Sequence, residues 1–108
     1  MYRACAGSLV VALWVTLGVA LGLVAGCVAA PPPVTAIDAS RAHVELADLQ
    51  RGRSLLVSKC GGCHRTPLPA EHRGDAWPEK LDDMSARAHL DDLQRHLIEA
   101  YLVTMAAH

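Results

Sequence analysis

The stretch that decides the fold of this chain is Cys60-Gly61-Gly62-Cys63-His64. Its two thiols stand at positions i and i+3 and its imidazole at i+4, so one helical turn would present all three side chains on one side. Such an arrangement suits a single planar group. We therefore expect the rest of the chain to fold around this motif, written C-x-x-C-H below.

A C-x-x-C-H run is the attachment signature of c-type haem, and the motif resembles that of monohaem, class I c-type cytochromes. The resemblance implies one covalently bound haem c, with thioether bonds from Cys60 and Cys63 to the haem vinyl groups. It also implies that His64 is the proximal axial ligand of the iron. The fold it implies is all-α, a small cytochrome c-like domain of about three helices around the haem.

Two other uses of a C-x-x-C pair compete with haem attachment. A structural zinc site usually takes four nitrogen or sulfur ligands in two spaced pairs, and the sequence has no second closely spaced cysteine pair. A thioredoxin-like dithiol expects a strand-helix-strand pattern beside it, which the flanking residues do not show. The surroundings of the motif favour haem over both.

Composition limits the chain to one small domain. It has 108 residues, and no charged residue lies between positions 4 and 37. From position 27 onward, nine Lys and Arg oppose eleven Asp and Glu, so there is no basic surplus for nucleic acid. A domain of about 70 residues buries little surface on folding, and a haem would supply the missing core.

The N-terminus resembles a bacterial lipoprotein signal. Arg3 precedes an apolar run over residues 9–25, which ends in Leu23-Val24-Ala25-Gly26-Cys27. The resemblance implies a signal peptide over residues 1–26 and lipidation of Cys27 as the first mature residue. The alternative is an uncleaved transmembrane anchor, since residues 9–30 are long enough to cross about 30 Å of hydrocarbon. Either reading predicts an exported domain tethered on the periplasmic side of a bacterial membrane.

Residues 27–40 are predicted to form a linker between the membrane and the domain. Pro31-Pro32-Pro33 favours an extended polyproline II spacer with no helix. We expect this spacer to hold the haem domain, residues 41–108, away from the bilayer.

The first predicted helix leads directly into the motif. Leu49, Gly52, Leu56 and Cys60 form one helical stripe. A glycine within a helix costs about 1 kcal/mol relative to alanine, so Gly52 needs a packing reason. The resemblance to class I cytochromes c supplies one, because it implies close contact between this glycine and an aromatic residue of the last helix, here Tyr101.

Two further helices are predicted. One begins at Trp77-Pro78, since proline is tolerated in the first helical turn. The other begins at Asp91-Asp92-Leu93-Gln94, which has the spacing of a capping box. Its broad apolar face comprises Leu93, Leu97, Ile98, Ala100, Tyr101, Leu102 and Met105.

Met84 is the candidate distal ligand. It shares one helix face with Trp77, Leu81 and Ala88, and the W-P-x-x-L-x-x-M phrase after the motif resembles short monohaem domains that place their distal methionine there. His/Met ligation raises the reduction potential relative to bis-His ligation. The alternatives are that Met84 only fills the core, that the iron is five-coordinate, or that the ligand is one of three histidines, His72, His89 or His96.

The resemblance also implies smaller features of the site. A proline carbonyl, from Pro67 or Pro69, is expected to accept the Nδ1 proton of His64. The cations that could reach a haem propionate are Arg65, Arg73, Lys80 and Arg87, none of which the sequence singles out.

The function expected is electron transfer by a membrane-tethered carrier, not enzymatic catalysis. The expected partners are other redox proteins or an oxidoreductase complex, with the membrane as anchor and no nucleic acid. Two alternatives stay open. The protein could be a haem-bearing accessory subunit of a larger oxidoreductase, or a five-coordinate haem sensor or ligand-binding protein if Met84 is not a ligand.

Overall fold

The structure, a computed structural model, describes residues 29–106. This part of the chain contains four α-helices and no strand, which confirms the predicted all-α class. We label the helices α1 (Ala36–Ala42), α2 (Leu46–Cys60), α3 (Trp77–Arg87) and α4 (Asp92–Ala106). Two short 3-10 turns, Pro69–Glu71 and Gly74–Ala76, connect α2 to α3.

Helix α1 is the element that the sequence analysis missed. The prediction of a helix-free spacer as far as position 40 is wrong, because a capping box starts a helix at its end. The Thr35 hydroxyl accepts from the Asp38 amide at 3.3 Å, and the Asp38 carboxylate accepts from the Thr35 amide at 2.8 Å. Ala39 of this helix is buried.

The proline run does not stand free of the domain either. Arg53 of α2 donates from Nε to the carbonyls of Pro31 and Pro32, at 3.0 and 3.1 Å. The Tyr101 hydroxyl of α4 donates to the Pro32 carbonyl at 2.7 Å. The run therefore packs on α2 and α4, because two side chains that must find acceptors find them in its carbonyls. We call these three hydrogen bonds the proline clamp.

The packing of α2 against α4 confirms the expected role of Gly52. A Cβ added at Gly52 would overlap the backbone carbonyl of Leu97 and lie 3.1 Å from the Tyr101 Cβ. The two backbones can approach this closely only because Gly52 has no side chain.

The starts of α3 and α4 also confirm the sequence predictions. Helix α3 begins at Trp77, with Pro78 in its first turn. At α4, the Gln94 amide donates to the Asp91 carboxylate at 2.7 Å, and the Asp91 amide donates to the Gln94 side chain at 3.1 Å. This reciprocal pair is the predicted capping box.

The core lies between α2, α3 and α4. The predicted stripe of α2 is buried, and so are the first two members of the α3 face, Trp77 and Leu81. Leu93 departs from the prediction, since 57% of it is exposed. It stands in the first turn of α4, one turn before the Leu97 backbone that contacts Gly52. The buried apolar residues are Ala39, Leu49, Leu56, Cys60, Trp77, Leu81, Leu97, Ile98, Tyr101 and Leu102.

Candidate haem site

The C-x-x-C-H motif begins at the last residue of α2. Cys60 is the final helical residue and is buried, as the stripe predicted, whereas residues 61–63 form a turn and His64 lies in a bend. The prediction that one helical turn carries all three side chains is therefore wrong after Cys60. The paired glycines that follow Cys60 are poor helix formers, which explains why the helix ends there.

The first glycine of the motif lets the chain fold back over the end of α2. A Cβ added at Gly61 would lie 2.8 Å from the Val57 carbonyl oxygen and 3.0 Å from the Thr66 hydroxyl. A Cβ at Gly62 would meet nothing within 4 Å. Gly61 is thus required by the loop itself, while Gly62 leaves open space.

The two cysteines of the motif differ in their surroundings. Both are free thiols, but Cys60 is buried and Cys63 is exposed. Burial raises the pKa of the Cys60 thiol, and the neighbouring Cys63 raises it further. Cys63 is consequently the more accessible of the two sulfur atoms.

The imidazole of His64 is oriented by the backbone beside it. Its Nδ1 lies 2.7 Å from the Arg65 carbonyl, and because a carbonyl can only accept, Nδ1 carries the proton. In the neutral tautomer that this bond selects, the lone pair on Nε2 is the one available to a metal. The expectation that Pro67 or Pro69 supplies this acceptor is wrong, because the bend at His64 brings the adjacent carbonyl within reach. The Pro69 carbonyl instead accepts from the buried indole of Trp77 at 3.1 Å.

One cleft brings the four predicted site residues together. It has a volume of about 320 Å³, and we call it the motif cleft. Helix α2 and the turn after it contribute one wall, and α3 contributes the other. Its lining residues are Lys59, Cys60, Cys63, His64, Asp83, Met84, Arg87 and Ala88.

A second cleft of about 400 Å³ adjoins the first. We call it the proline cleft, after Pro67 in its wall. The two clefts share His64, Asp83 and Met84. Met84 is half-buried and also packs against the apolar core. The histidine and the methionine that the sequence analysis paired therefore line the same two spaces.

The alternative histidine ligands are not equivalent. His72 lines the proline cleft and makes an edge contact with Trp77, with the ring centroids 4.9 Å apart. His89 is exposed at the end of α3, in the left-handed region with φ 53°. His96 is exposed and lines a different cleft, between α1 and α4. Of the three, only His72 shares a space with His64.

The candidate propionate partners are dispersed. Arg87 lines the motif cleft and pairs with Asp83 at 3.3 Å, and Lys80 lines the proline cleft. Arg65 and Arg73 line neither of these clefts; they pair with Glu71 at 2.7 Å and Asp75 at 3.0 Å.

Lys59, a lining residue of the motif cleft, was missed by the sequence analysis. Its position directly before Cys60, in the last turn of α2, was the available signal.

The donor set fits a c-type haem. Within residues 29–106, no group of three or more His, Cys, Asp or Glu side chains lies close enough to hold a metal ion. A haem does not need such a group, since its sulfur anchors bond to the rim of the macrocycle and only the axial ligands meet the iron. The chain offers two thiols, an imidazole with a free Nε2 and a thioether around one cleft.

Cys27 and the apolar run of residues 9–25 lie outside the described residues, as does the signal peptide predicted from them. Within the described part of the chain, no helix is both long and apolar enough to cross a membrane.

Comparison with known proteins gives no family assignment. No protein-family model matches the chain, and neither a curated protein nor a solved structure matches it.

Proposed function

We propose that this protein is a membrane-tethered, periplasmic electron-transfer protein that carries one haem c. Cys60 and Cys63 hold the haem through thioether bonds, His64 binds the iron as proximal ligand, and Met84 binds it as distal ligand. Cys27 carries the lipid anchor. The carrier passes electrons to and from other redox proteins and catalyses no reaction of its own.

The observation that carries this proposal is the shared cleft. The cysteines and His64 come from the end of α2 and the turn after it, whereas Met84 comes from α3, twenty residues after His64 in the chain. All four nevertheless line one space. A C-x-x-C-H motif that occurred by chance would have no reason to face a methionine across a cleft.

The protein's own groups prepare the proximal ligand. The bond from His64 Nδ1 to the Arg65 carbonyl fixes the ring and its tautomer, and such a bond raises the basicity of the other nitrogen. Once bound, the haem supplies a single iron that alternates between the ferric and ferrous states. Met84 as sulfur ligand favours the ferrous state and so raises the reduction potential.

The proline cleft provides the main alternative for the sixth ligand. His72 lines it together with His64 and Met84, so a bis-His centre of lower potential is the second candidate. A five-coordinate sensor would need both side chains to stay off the iron. An accessory subunit of a larger oxidoreductase would use the same haem centre and differ only in its partner.

The test is the optical spectrum of the haem-loaded protein beside three variants. We expect the oxidised protein to show the weak far-red band of sulfur-to-iron charge transfer and Met84→Ala to lose it. Met105→Ala is the matched control, since Met105 packs on the core and lines neither cleft. His72→Ala should keep the band. A wild-type spectrum that lacks the band and shifts with added carbon monoxide would overturn Met84 as ligand.

A further inference from the structure

We propose that the proline clamp holds one particular face of the domain against the phosphate headgroups of the membrane. This inference rests on the proposed lipid anchor at Cys27. It replaces the idea of a spacer that keeps the domain away from the bilayer.

The face in question surrounds the point where the described chain enters the domain. It forms a cleft of about 610 Å³, which we call the entry face. Among the residues that the structure describes, no carboxylate lines it. Its residues are Ala29, Ala30, Pro31, Arg53, Val57, Gly61, Arg65 and Thr66.

The clamp fixes the chain at this face through three bonds from two helices. Arg53 and Tyr101 together hold the carbonyls of Pro31 and Pro32 at 2.7 to 3.1 Å. Pro31 is buried and Tyr101 is fully buried. The tether therefore ends at Pro31 and not at the start of a helix further along.

The free length of the tether is too short for the opposite side of the domain to face the membrane. Cys27 precedes Pro31 by four residues, and an extended chain spans at most about 3.6 Å per residue, or about 14 Å here. A folded domain of this size has a radius of gyration of about 12 Å and is thus about 30 Å across. A lipid on Cys27 can reach the bilayer only if the entry face, or its edge, lies near the surface.

The chemistry of the entry face suits a phosphate-bearing surface. Arg65 is exposed, and although it pairs with Glu71 at 2.7 Å, most of its side chain stays open to solvent. Val57 is 44% exposed beside it. Guanidinium groups bind phosphate oxygens through several N–H donors, and a small apolar side chain is tolerated at the lipid boundary. Arg53 adds a second positive charge to the face while its Nε holds the clamp.

This orientation of the domain places the haem motif close to the membrane. Gly61 of the motif lines the entry face, while the acidic residues of α3, Glu79, Asp82 and Asp83, do not. The motif end of α2 then lies toward the bilayer, and the carboxylates of α3 lie outside the cleft that faces it.

The experiment uses the full, acylated and haem-loaded protein in nanodiscs of phosphatidylcholine and anionic phosphatidylglycerol that contain a gadolinium-chelating lipid. The ferrous protein is studied by NMR, in which the gadolinium accelerates the relaxation of nearby amides. Val57 and Gly61 line the entry face, whereas Asp82 and Leu93 do not. We therefore expect the enhancement at the first two positions to exceed that at the other two several-fold. Equal enhancement at all four positions would overturn the proposal.

Two kinds of variant test the clamp as the cause. In Arg53→Gln/Tyr101→Phe, the relaxation enhancement at Val57 and Gly61 should become nearly equal to that at Asp82 and Leu93. Arg51→Gln is the control, because it removes the same charge from α2 but leaves the clamp intact, and it should behave as wild type. A difference that persists in the clamp variant would overturn the clamp as the orienting element.

A tether variant avoids any change within the core. Insertion of about 30 Gly and Ser residues between Val28 and Ala29 gives a reach of about 30 Å, comparable to the width of the domain. The preference for the entry face should then disappear, and its persistence would overturn the tether argument.

Intact mass separates failure of this inference from failure of the proposed anchor. If the intact mass shows no lipid on Cys27, both the proposed anchor and the proposed orientation of the domain are overturned. A lipidated protein with equal relaxation enhancement at all four positions would overturn only the proposed orientation of the domain. The optical spectrum described above tests the haem centre independently of the anchor and of the orientation.

Discussion

At Cys60 and Cys63 the same functional group stands in two different environments. Cys60 is buried, and its pKa is raised first by desolvation and then by Cys63, whereas Cys63 is exposed. Because the thiolate is the reactive form, we predict that iodoacetamide modifies Cys63 several-fold faster than Cys60 in the haem-free protein. A time course read by peptide mass spectrometry measures both rates.

Two controls accompany this measurement. In denaturant, the two rates should become similar, and in the haem-loaded protein neither thiol should react, because both are thioethers. Equal rates in the native haem-free protein would contradict the difference in burial. Alkylation of either cysteine in the haem-loaded protein would contradict its proposed thioether bond.

Gly52 is the residue at which packing overrides helix propensity. Alanine is intrinsically better in a helix by about 1 kcal/mol, but its Cβ here would overlap the Leu97 carbonyl. Overpacking typically costs about 1–3 kcal/mol, and a backbone group cannot rotate aside. We predict that Gly52→Ala lowers the free energy of unfolding by about 2 kcal/mol, measured by urea denaturation.

Gly74→Ala is the matched control for Gly52→Ala. Its added Cβ would find its nearest neighbour at 3.4 Å, an ordinary contact. We expect its stability to stay close to that of the wild type. Comparable losses in the two variants would mean that the close approach of α2 and α4 is not what Gly52 provides.

At the scale of elements, the capping box decides where α4 begins. Asp91 and Gln94 satisfy each other's backbone amides at 2.7 and 3.1 Å. Replacing an N-cap aspartate by alanine typically costs about 1 kcal/mol, whereas asparagine caps almost as well. We predict that Asp91→Ala destabilises the protein by about 1 kcal/mol in urea denaturation and that Asp91→Asn does not. Similar losses of stability in both variants would mean that Asp91 stabilises α4 through its negative charge and not through its capping hydrogen bond.

The helices were predictable where one signal dominated. The stripe of α2, the Trp77-Pro78 start of α3 and the cap of α4 could each be read from residues a few positions apart. Helix α1 could not be recognised in the same way, because the three prolines before it outweighed the Thr35 and Asp38 pair that caps it. A capping box directly after a proline run is the signal that could have found it.

The candidate site was predictable to a similar extent. The four candidate site residues came from the motif and from helical spacing, and they line one cleft. The acceptor of the His64 proton was not predictable, since it depends on the bend that turns the ring toward its own neighbour, Arg65. The proline clamp joins residues 69 positions apart in the chain, and no local pattern reports such a contact.

For the whole molecule, Tyr101 is the point at which the proline run, α2 and α4 meet. Its Cβ would lie 3.1 Å from a Cβ added at Gly52, and its hydroxyl donates to the Pro32 carbonyl. If the leader is removed, Tyr101 is the only tyrosine of the chain from position 27 onward. Its ionisation can therefore be followed directly by ultraviolet absorbance, without interference from another tyrosine.

The ionisation of Tyr101 should make the fold sensitive to alkaline pH. Burial raises the pKa of Tyr101 to about 12, although Arg53 acts to lower it, while tyrosine in an unfolded chain titrates near 10. Between these values the folded state retains a proton that the unfolded state has released, so the free energy of unfolding falls as pH rises through this window. The contribution is fully present below about pH 10 and amounts to roughly 2–3 kcal/mol. Urea denaturation of the wild type and Tyr101→Phe across this range measures it. The variant should lose this component of the pH dependence. If the free energy of unfolding falls in parallel with pH in both proteins, the Tyr101 hydroxyl is not shielded from solvent in the folded state.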